Sequence, residues 1–500
     1  MLNKYIWELY LKSGGDKVVD LFRRSFSEEM TDEYVEAIIR MRQRYSVMKS
    51  EDENVRLQLQ DLIQLKNEMD EGRESDKGNG MAEDLENQPG NYVEALNDFY
   101  DMLLENLNIE LPQAAFANFS EAIVFYSTNL SLAYPEYFIP YYFWYNFNVL
   151  SIIAEEFEIE LPALPAKKDY RERLFYYGEI SRAMIVFADQ NGLDKAELYA
   201  FLYDFAPQYV GGTDCYIVKE LPAPRSAFFI GADKNDSFLG DDRSEITAWQ
   251  CSPDTRVGDM IVMYLRTPVS AVNSIWRACS VGFIDPFFYY YRCVYISQPV
   301  KTKPFTLAQM KSDQVFKSLP IVRKNMQGIN GIELYPSVYN HLVAKTKASA
   351  LLLEYEKTEK AEGFSCEKDV ENKLVKPLIT RLGYLEEDYE QQLYVEIGNH
   401  NKALIPDFVL LPDKRHGHVS GFGIIEAKRS ITSEKALGEV FVQARSYARV
   451  LMTKYCAVAS KEKIWVAQRK DDYEAIIFEA SWKQLNQADT FYELNKLLGK

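Results

Sequence analysis

Residues 405–429 read IPDFVLLPDKRHGHVSGFGIIEAKR, placing Asp407, Glu426 and Lys428 inside runs that otherwise have the composition of buried strands. Burying a charge without a partner is costly, so three such residues in one short segment need a common purpose. Folding the segment as a hairpin about residue 416 or 417 sets Asp407 opposite Glu426. The two-residue period of a strand then puts Lys428 on the same face as Glu426. Two facing carboxylates repel, and a divalent cation between them reverses that cost. Hard oxygen ligands, few in number and with open positions, suit Mg²⁺, or Mn²⁺ in its place, rather than zinc. A lysine beside such an ion can orient or deprotonate a water while the metal neutralises charge developing on a phosphate. The expected chemistry is hydrolysis of a phosphodiester. Asp413 makes a second Pro-Asp pair, but the hairpin places it beside the turn and away from Glu426.

The elements around these residues must position them. The spacing predicts a helix in CEKDVENKLVKPLITRLGY, strands in QQLYVEIG, IPDFVLL and GFGIIEAK, a helix in SEKALGEVFVQARSYARVLM, and strands in YCAVAS and KIWVAQR. With Pro406-Asp407, Glu426-Ala427-Lys428 and the helix bearing Gln443 and Tyr447 in that order, about residues 360–470 resemble the PD-(D/E)xK nuclease superfamily, in particular its restriction-type members. The resemblance implies that Asp407 and Glu426 hold Mg²⁺ and that Lys428 positions the attacking water. It further implies a helix carboxylate that completes the metal shell. Glu367 is the better match by its distance to Pro377 and Gly383, and Glu371 lies one turn on and faces the same way. Gln443 and Tyr447 match a supporting Gln-x-x-x-Tyr element, and Arg429, Lys435, Arg445 and Arg449 are candidates for phosphate contacts. By analogy, cutting both strands calls for two active sites and hence a homodimer.

Residues 222–345 carry short strands such as RSAFFIGA, GDMIVMYL, NSIWRACSVGFI and YRCVYISQPV, separated by Gly, Pro and Asp turns, which predicts a small β-barrel. The Trp249 strand, the VGDMIVMY strand through Gly258, Asp259 and Tyr264, and the SIWRACSV strand resemble the EVE domain of the PUA-like group. That resemblance implies binding of a modified base extracted from its stack, with Trp249, Tyr264 and Trp276 as stacking candidates. Asp259, following a glycine, reads as a turn residue.

Residues 1–210 show helical spacing throughout and no catalytic constellation. Asp194 in GLDKAEL is suited to cap a helix. Residues 70–91, rich in Gly, Pro and charge, read as a flexible loop. YFIPYYFWYNFNVLSIIA, residues 137–154, reads as a buried aromatic helix rather than a membrane span, because Pro140, Asn146 and Asn148 interrupt it.

The net charge of -17 is unevenly spread. Residues 1–200 hold 19 Lys and Arg against 37 Asp and Glu, whereas residues 201–500 hold 38 against 37. The acidity therefore does not exclude nucleic acid from the rest of the chain. It leaves scaffolding, mimicry of nucleic acid or recruitment of a protein partner as roles for the helical part. Six scattered cysteines without a CxxC pair and four histidines exclude a zinc site, and with no cleavable leader they point to a reducing cytoplasm.

The expectation is thus a multidomain protein: an all-α N-terminal domain (1–210), a β-barrel PUA-like (EVE-like) middle domain (222–345) and an α/β PD-(D/E)xK nuclease domain (360–500). Its expected function is a Mg²⁺-dependent, modification-dependent DNA endonuclease of anti-phage defence. The rivals are an endonuclease directed by sequence or DNA structure, and a non-catalytic binder of modified nucleic acid.

Overall fold

The computed structural model describes every residue except 1, 28–30, 76–88, 243, 245, 358–360, 397–402, 415–417 and 470–473. The chain mixes helices and sheets and divides into two compact units: residues 1–224, 228–333 and 346–349 form one, and residues 225–227, 334–345 and 350–500 the other. Three domains were expected from the sequence, but the helical and strand-rich segments share the first unit. The helix Pro336–Thr346, most of which lies in the segment assigned to the middle domain, belongs almost wholly to the second unit. Its side chains explain why. Asn340 accepts from the backbone of Leu353 at 2.8 Å and donates to the carbonyl of the same residue at 2.9 Å, and Ser337 donates to Asp489 at 2.6 Å.

The described part of the first two hundred residues is mainly helical and packs around a large aromatic core. Asp194 caps the helix Lys195–Ala200 in a reciprocal box with Glu197, as its position before an apolar run predicts. The helix Lys49–Ser75 takes in the start of the segment 70–91 that was expected to be a loop, and residues 76–88 lie outside the described residues.

The aromatic run 137–154 departs from its expected helix. Only Phe147–Glu156 is helical, and residues 138–144 pass through the core as irregular backbone, all of them buried. Pro140 lacks a donor, and the surrounding helices answer the main-chain groups of this thread with side chains. Ser127 Oγ accepts from the N–H of Tyr141 at 2.9 Å, Tyr177 donates to the carbonyl of Ile139 at 2.7 Å, and Tyr203 donates to that of Pro140. Arg42, 0% exposed, donates to the carbonyls of Tyr142 and Trp144 and to Asp52 at 3.1 Å. No helix among the described residues is long and apolar enough to cross a membrane.

The strands of the first unit are β1 (Ala227–Ala232), β2 (Thr247–Trp249), β3 (Met260–Leu265), β4 (Ala271–Ala278), β5 (Phe283–Ile284), β6 (Arg292–Thr306) and β7 (Asn330–Leu334). They form one sheet in the order β2-β6-β4-β3-β1-β7, with β5 on β6. Where a small barrel was expected, the sheet is curled but has β2 and β7 as its ends. The turn after β5 docks on the helices: Arg173 donates to the carbonyls of Pro286 at 2.9 Å and Phe288 at 2.6 Å, and Phe287 packs edge-on against Tyr141.

Asp285 starts that turn and accepts from the backbone of Phe287 at 2.9 Å and Phe288 at 3.1 Å. Burial pushes its carboxyl up to about 6, against the pull of those two N–H groups and Arg173. The folded pKa therefore lies above the unfolded one, so the contribution to stability is full below about pH 4 and fades as pH rises through 6. A shift of roughly two units corresponds to about 3 kcal/mol. Urea unfolding of the native protein and Asp285→Asn at pH 4 and pH 7 should show the native protein losing about that much relative to the variant. A difference independent of pH would refute the assignment.

The second unit carries β8 (Tyr389–Gln391), the short antiparallel pair β9 (Val395–Glu396) and β10 (Ala403–Leu404), β11 (Phe408–Leu410), β12 (Gly423–Ala427), β13 (Tyr455–Ala459), β14 (Lys463–Arg469) and β15 (Glu474–Ser481). Its main sheet runs β15-β14-β13-β12-β11-β8, antiparallel except where β12 meets β13. That parallel step needs a crossover, which the helix Glu434–Val450 supplies. The sheet is covered on both faces. Phe408, Leu410, Ile425 and Ala427 pack with the helices at 367–381 and Ala488–Leu498, while Val409 and Ile424 pack with the crossover helix.

Candidate active site

The site lies at one end of the β11–β12 pair. Phe408 stands opposite Ile425, and continuing this register by one residue brings Asp407 opposite Glu426. Alternation sends Glu426 to the face shared by Ile424 and the crossover helix, one residue out of phase with the Ile425 face. Asp413 pairs through its backbone with Ser420 toward the far end of the hairpin; the turn residues 415–417 lie outside the described residues.

Five side chains converge on Glu426 and its neighbours. Glu426 is 2% exposed, and its Oε1 accepts from Lys428 Nζ at 3.1 Å and Gln443 Nε2 at 2.9 Å. Gln443 also donates to the Tyr447 hydroxyl at 3.0 Å, one helical turn along. Lys428 pairs further with Glu367 at 3.6 Å. Asp407 Oδ2 accepts from the N–H of Ala427 at 2.7 Å, which fixes the carboxyl against β12.

The helix carboxylates divide differently from the expectation. Glu367 opens its helix and is about half exposed, touching the site through Lys428 alone. Glu371 is 4% exposed and accepts through Oε2 from Gln391 at 2.5 Å and Lys368 at 3.0 Å. It begins a π-turn, Glu371–Val375, a local widening of the helix often found at functional positions. Spacing favours Glu367, whereas burial beside the strands favours Glu371. Gln391, which anchors Glu371, carried no signal in the sequence beyond a polar residue ending a strand.

The electrostatics are those of crowded acids. Burial raises the Asp407 pKa; the Ala427 N–H and Lys428 oppose this, and the charges of Glu371 and Glu367 add to it. Burial, then the Asp407 charge, pushes Glu426 up to about 7. For Lys428 burial pulls downward, but Glu426, Glu367 and Asp407 outweigh it, so its pKa ends above the usual lysine value.

Among the described residues no three His, Cys, Asp or Glu side chains are drawn together as a finished metal cage. Two features nevertheless fit a cation. Glu426 Oε2 is buried with no hydrogen-bond partner, an orphaned carboxylate oxygen of the kind an ion satisfies. The four acids also outnumber the two lysines, Lys368 and Lys428, that now neutralise them.

Of the basic candidates, Arg429, Lys435 and Arg449 are exposed, and Arg445 is half-buried over the Phe441 ring at 5.4 Å.

In the first unit the three aromatic candidates separate. Trp276 is 0% exposed in the sheet core and donates to Ser274 at 2.8 Å; Trp249 donates to the carbonyl of Gly231 at 3.0 Å. Trp276 packs inside the apolar cluster of the curled sheet and the partly buried Trp249 against it. Tyr264 lines a cavity of about 680 Å³, together with Gln250, Arg266, Tyr290 and Asn330. A register shift between Met263 and Tyr264 interrupts the β3–β4 ladder there, the sort of bulge that re-aims a side chain. The Oδ1 of Asn330 is buried with no hydrogen-bond partner. Asp259 accepts from the N–H of Arg256 at 2.8 Å, as a turn residue should.

No protein-family model matches the chain, and no curated protein matches it. Among solved structures it is similar to Rpa0253 of Rhodopseudomonas palustris, at 14% identity and a TM-score of 0.22 over 24% of this chain and 93% of that one. Atu2648 of Agrobacterium tumefaciens gives 12% and 0.21 over 24% and 92%. ASCH of Zymomonas mobilis gives 13% and 0.19 over 26% and 99%. Scores this low carry no functional weight.

Proposed function

We propose that this protein is a Mg²⁺-dependent DNA endonuclease whose cutting is directed by a modified base held in the curled sheet. The observation that carries the nuclease half is the opposition of Asp407 and Glu426 with Lys428 beside them and one Glu426 oxygen left without a partner. Asp407, Glu426 and one of Glu371 or Glu367 would hold Mg²⁺, which when bound neutralises charge on a phosphate and acidifies a water. The other groups are the chain's own. Lys428 presents an ammonium donor beside the site, Gln443 and Tyr447 fix the orientation of Glu426, and Gln391 fixes that of Glu371. Arg429, Lys435 and Arg449 stand where they can meet a DNA backbone.

The reader half is supported by the cavity at Tyr264. Its volume is ample for a base, Tyr264, Tyr290 and Asn330 are in its lining, and the Asn330 side-chain oxygen has no hydrogen-bond partner.

The test is to incubate the protein and Mg²⁺ with otherwise identical DNAs carrying cytosine, 5-methylcytosine or 5-hydroxymethylcytosine, with phage genomes of known base chemistry as a wider panel. The expected result is cutting of a modified substrate only, abolished by EDTA and restored by Mg²⁺. Equal cutting of every substrate would remove the reader half; binding to modified DNA with no cutting under any metal would remove the nuclease half.

A further inference from the structure

The first unit holds a second cavity, larger than the one at Tyr264 and unconnected with either half of the proposed function. It is a cleft of about 810 Å³ between the helices Asp16–Ser27 and Asp32–Arg42, with Asp204 at one side. Five cations line it: Lys17, Arg23, Arg24, Arg40 and Arg44. The first two hundred residues carry only 19 Lys and Arg against 37 acids, and five of the 19 line this one opening. Gathering so many of a scarce residue type at one opening concentrates positive potential there.

The acids in the lining offset this only in part. Arg44 pairs with Asp204, whose other oxygen accepts from Tyr10 at 2.8 Å, and Arg23 pairs with Asp20 at 3.3 Å and Asp194 at 2.7 Å. These contacts hold two guanidinium groups in place at the rim. Lys17, Arg24 and Arg40 are exposed and contribute further charge, with Glu33 the remaining acid of the lining. The floor is apolar, made by Val18, Leu21, Ala37 and Met41. A cationic rim over an apolar floor, within the usual volume of a small-molecule pocket, matches a molecule with an anionic end and a flat or apolar body. Guanidinium groups favour phosphate as that anion, through paired N–H donors.

We propose that this cleft binds a small organic phosphate of nucleotide size. The experiment is isothermal titration calorimetry of the full chain with ATP, the dinucleotide pApA, inorganic pyrophosphate and adenosine, repeated with Arg24→Glu/Arg40→Glu. Both arginines are exposed, so the doubly substituted chain should fold, and an unchanged thermal midpoint would establish that. The expected result is 1:1 binding of at least one phosphate-bearing probe and none of adenosine, weakened at least about tenfold by the double substitution. Duplex DNA is the control arm, and its affinity should be the same for both proteins. The proposal fails if no phosphate probe binds at millimolar concentration, if binding survives charge reversal undiminished, or if the substitutions weaken DNA binding instead. None of these outcomes depends on the nuclease reading, because no cleavage is measured.

Discussion

Asp407→Asn should lower DNA cleavage by about a thousandfold while leaving the thermal midpoint unchanged or raised. The amide oxygen still accepts from Ala427, so the shape of the strand end is kept and only the charge is lost. That charge is held against burial and two neighbouring carboxylates, a cost with no return in stability. Lys428→Met should cut activity comparably. The two helix carboxylates separate by the same assay. Glu371→Gln should cost about a hundredfold and Glu367→Gln less than about tenfold, because the buried group is the one without access to screening water. A large loss at Glu367 with little at Glu371 would return the role to the residue that spacing favours. Full activity in Asp407→Asn would end the nuclease reading altogether.

Arg42→Met should destabilise the first unit by about 4 kcal/mol, measured as a fall in unfolding free energy by urea titration followed by circular dichroism. The loss has two parts. Asp52 is left buried with no counter-charge, and the carbonyls of Tyr142 and Trp144 each lose one of two donors, keeping Tyr45 and Asn146 respectively. Adding Asp52→Leu should recover the first part but not the second, since nothing replaces the guanidinium N–H groups that the carbonyls lose. Complete recovery would mean that the thread through the core finds its hydrogen bonds elsewhere.

How far the sequence reveals these features depends on how local the determining interaction is. The opposition of Asp407 and Glu426 follows from strand alternation and the symmetry of a hairpin, both short-range, and it can be read without coordinates. The helix cap at Asp194 is local in the same way. The run 137–154 is different: a largely apolar stretch has no clear period, so helix and extended backbone look alike until the partners are known. Pro140 was the one sign against a helix. Trp249 and Trp276 were indistinguishable from Tyr264 as strand aromatics, because which ring faces a cavity is decided by the curl of the sheet and a single register shift. Glu371 gained its place from Gln391, twenty residues on, and from a π-turn that no spacing rule anticipates. The basic cleft was hidden by its own setting, since the acidic total of the segment says nothing about where its few cations gather.

The thread through the helical core also bears on the order of assembly. Its main-chain partners sit far away in sequence: Tyr142 is reached by Arg42 and Tyr45, and Pro140 by Tyr203. A peptide that makes no ladder or helical turn of its own has nothing to hold it until those side chains arrive from both directions. The helices on either side must therefore close around it together, so the stretch acts as a lock that engages late and makes the surrounding helical core rise or fall as a whole.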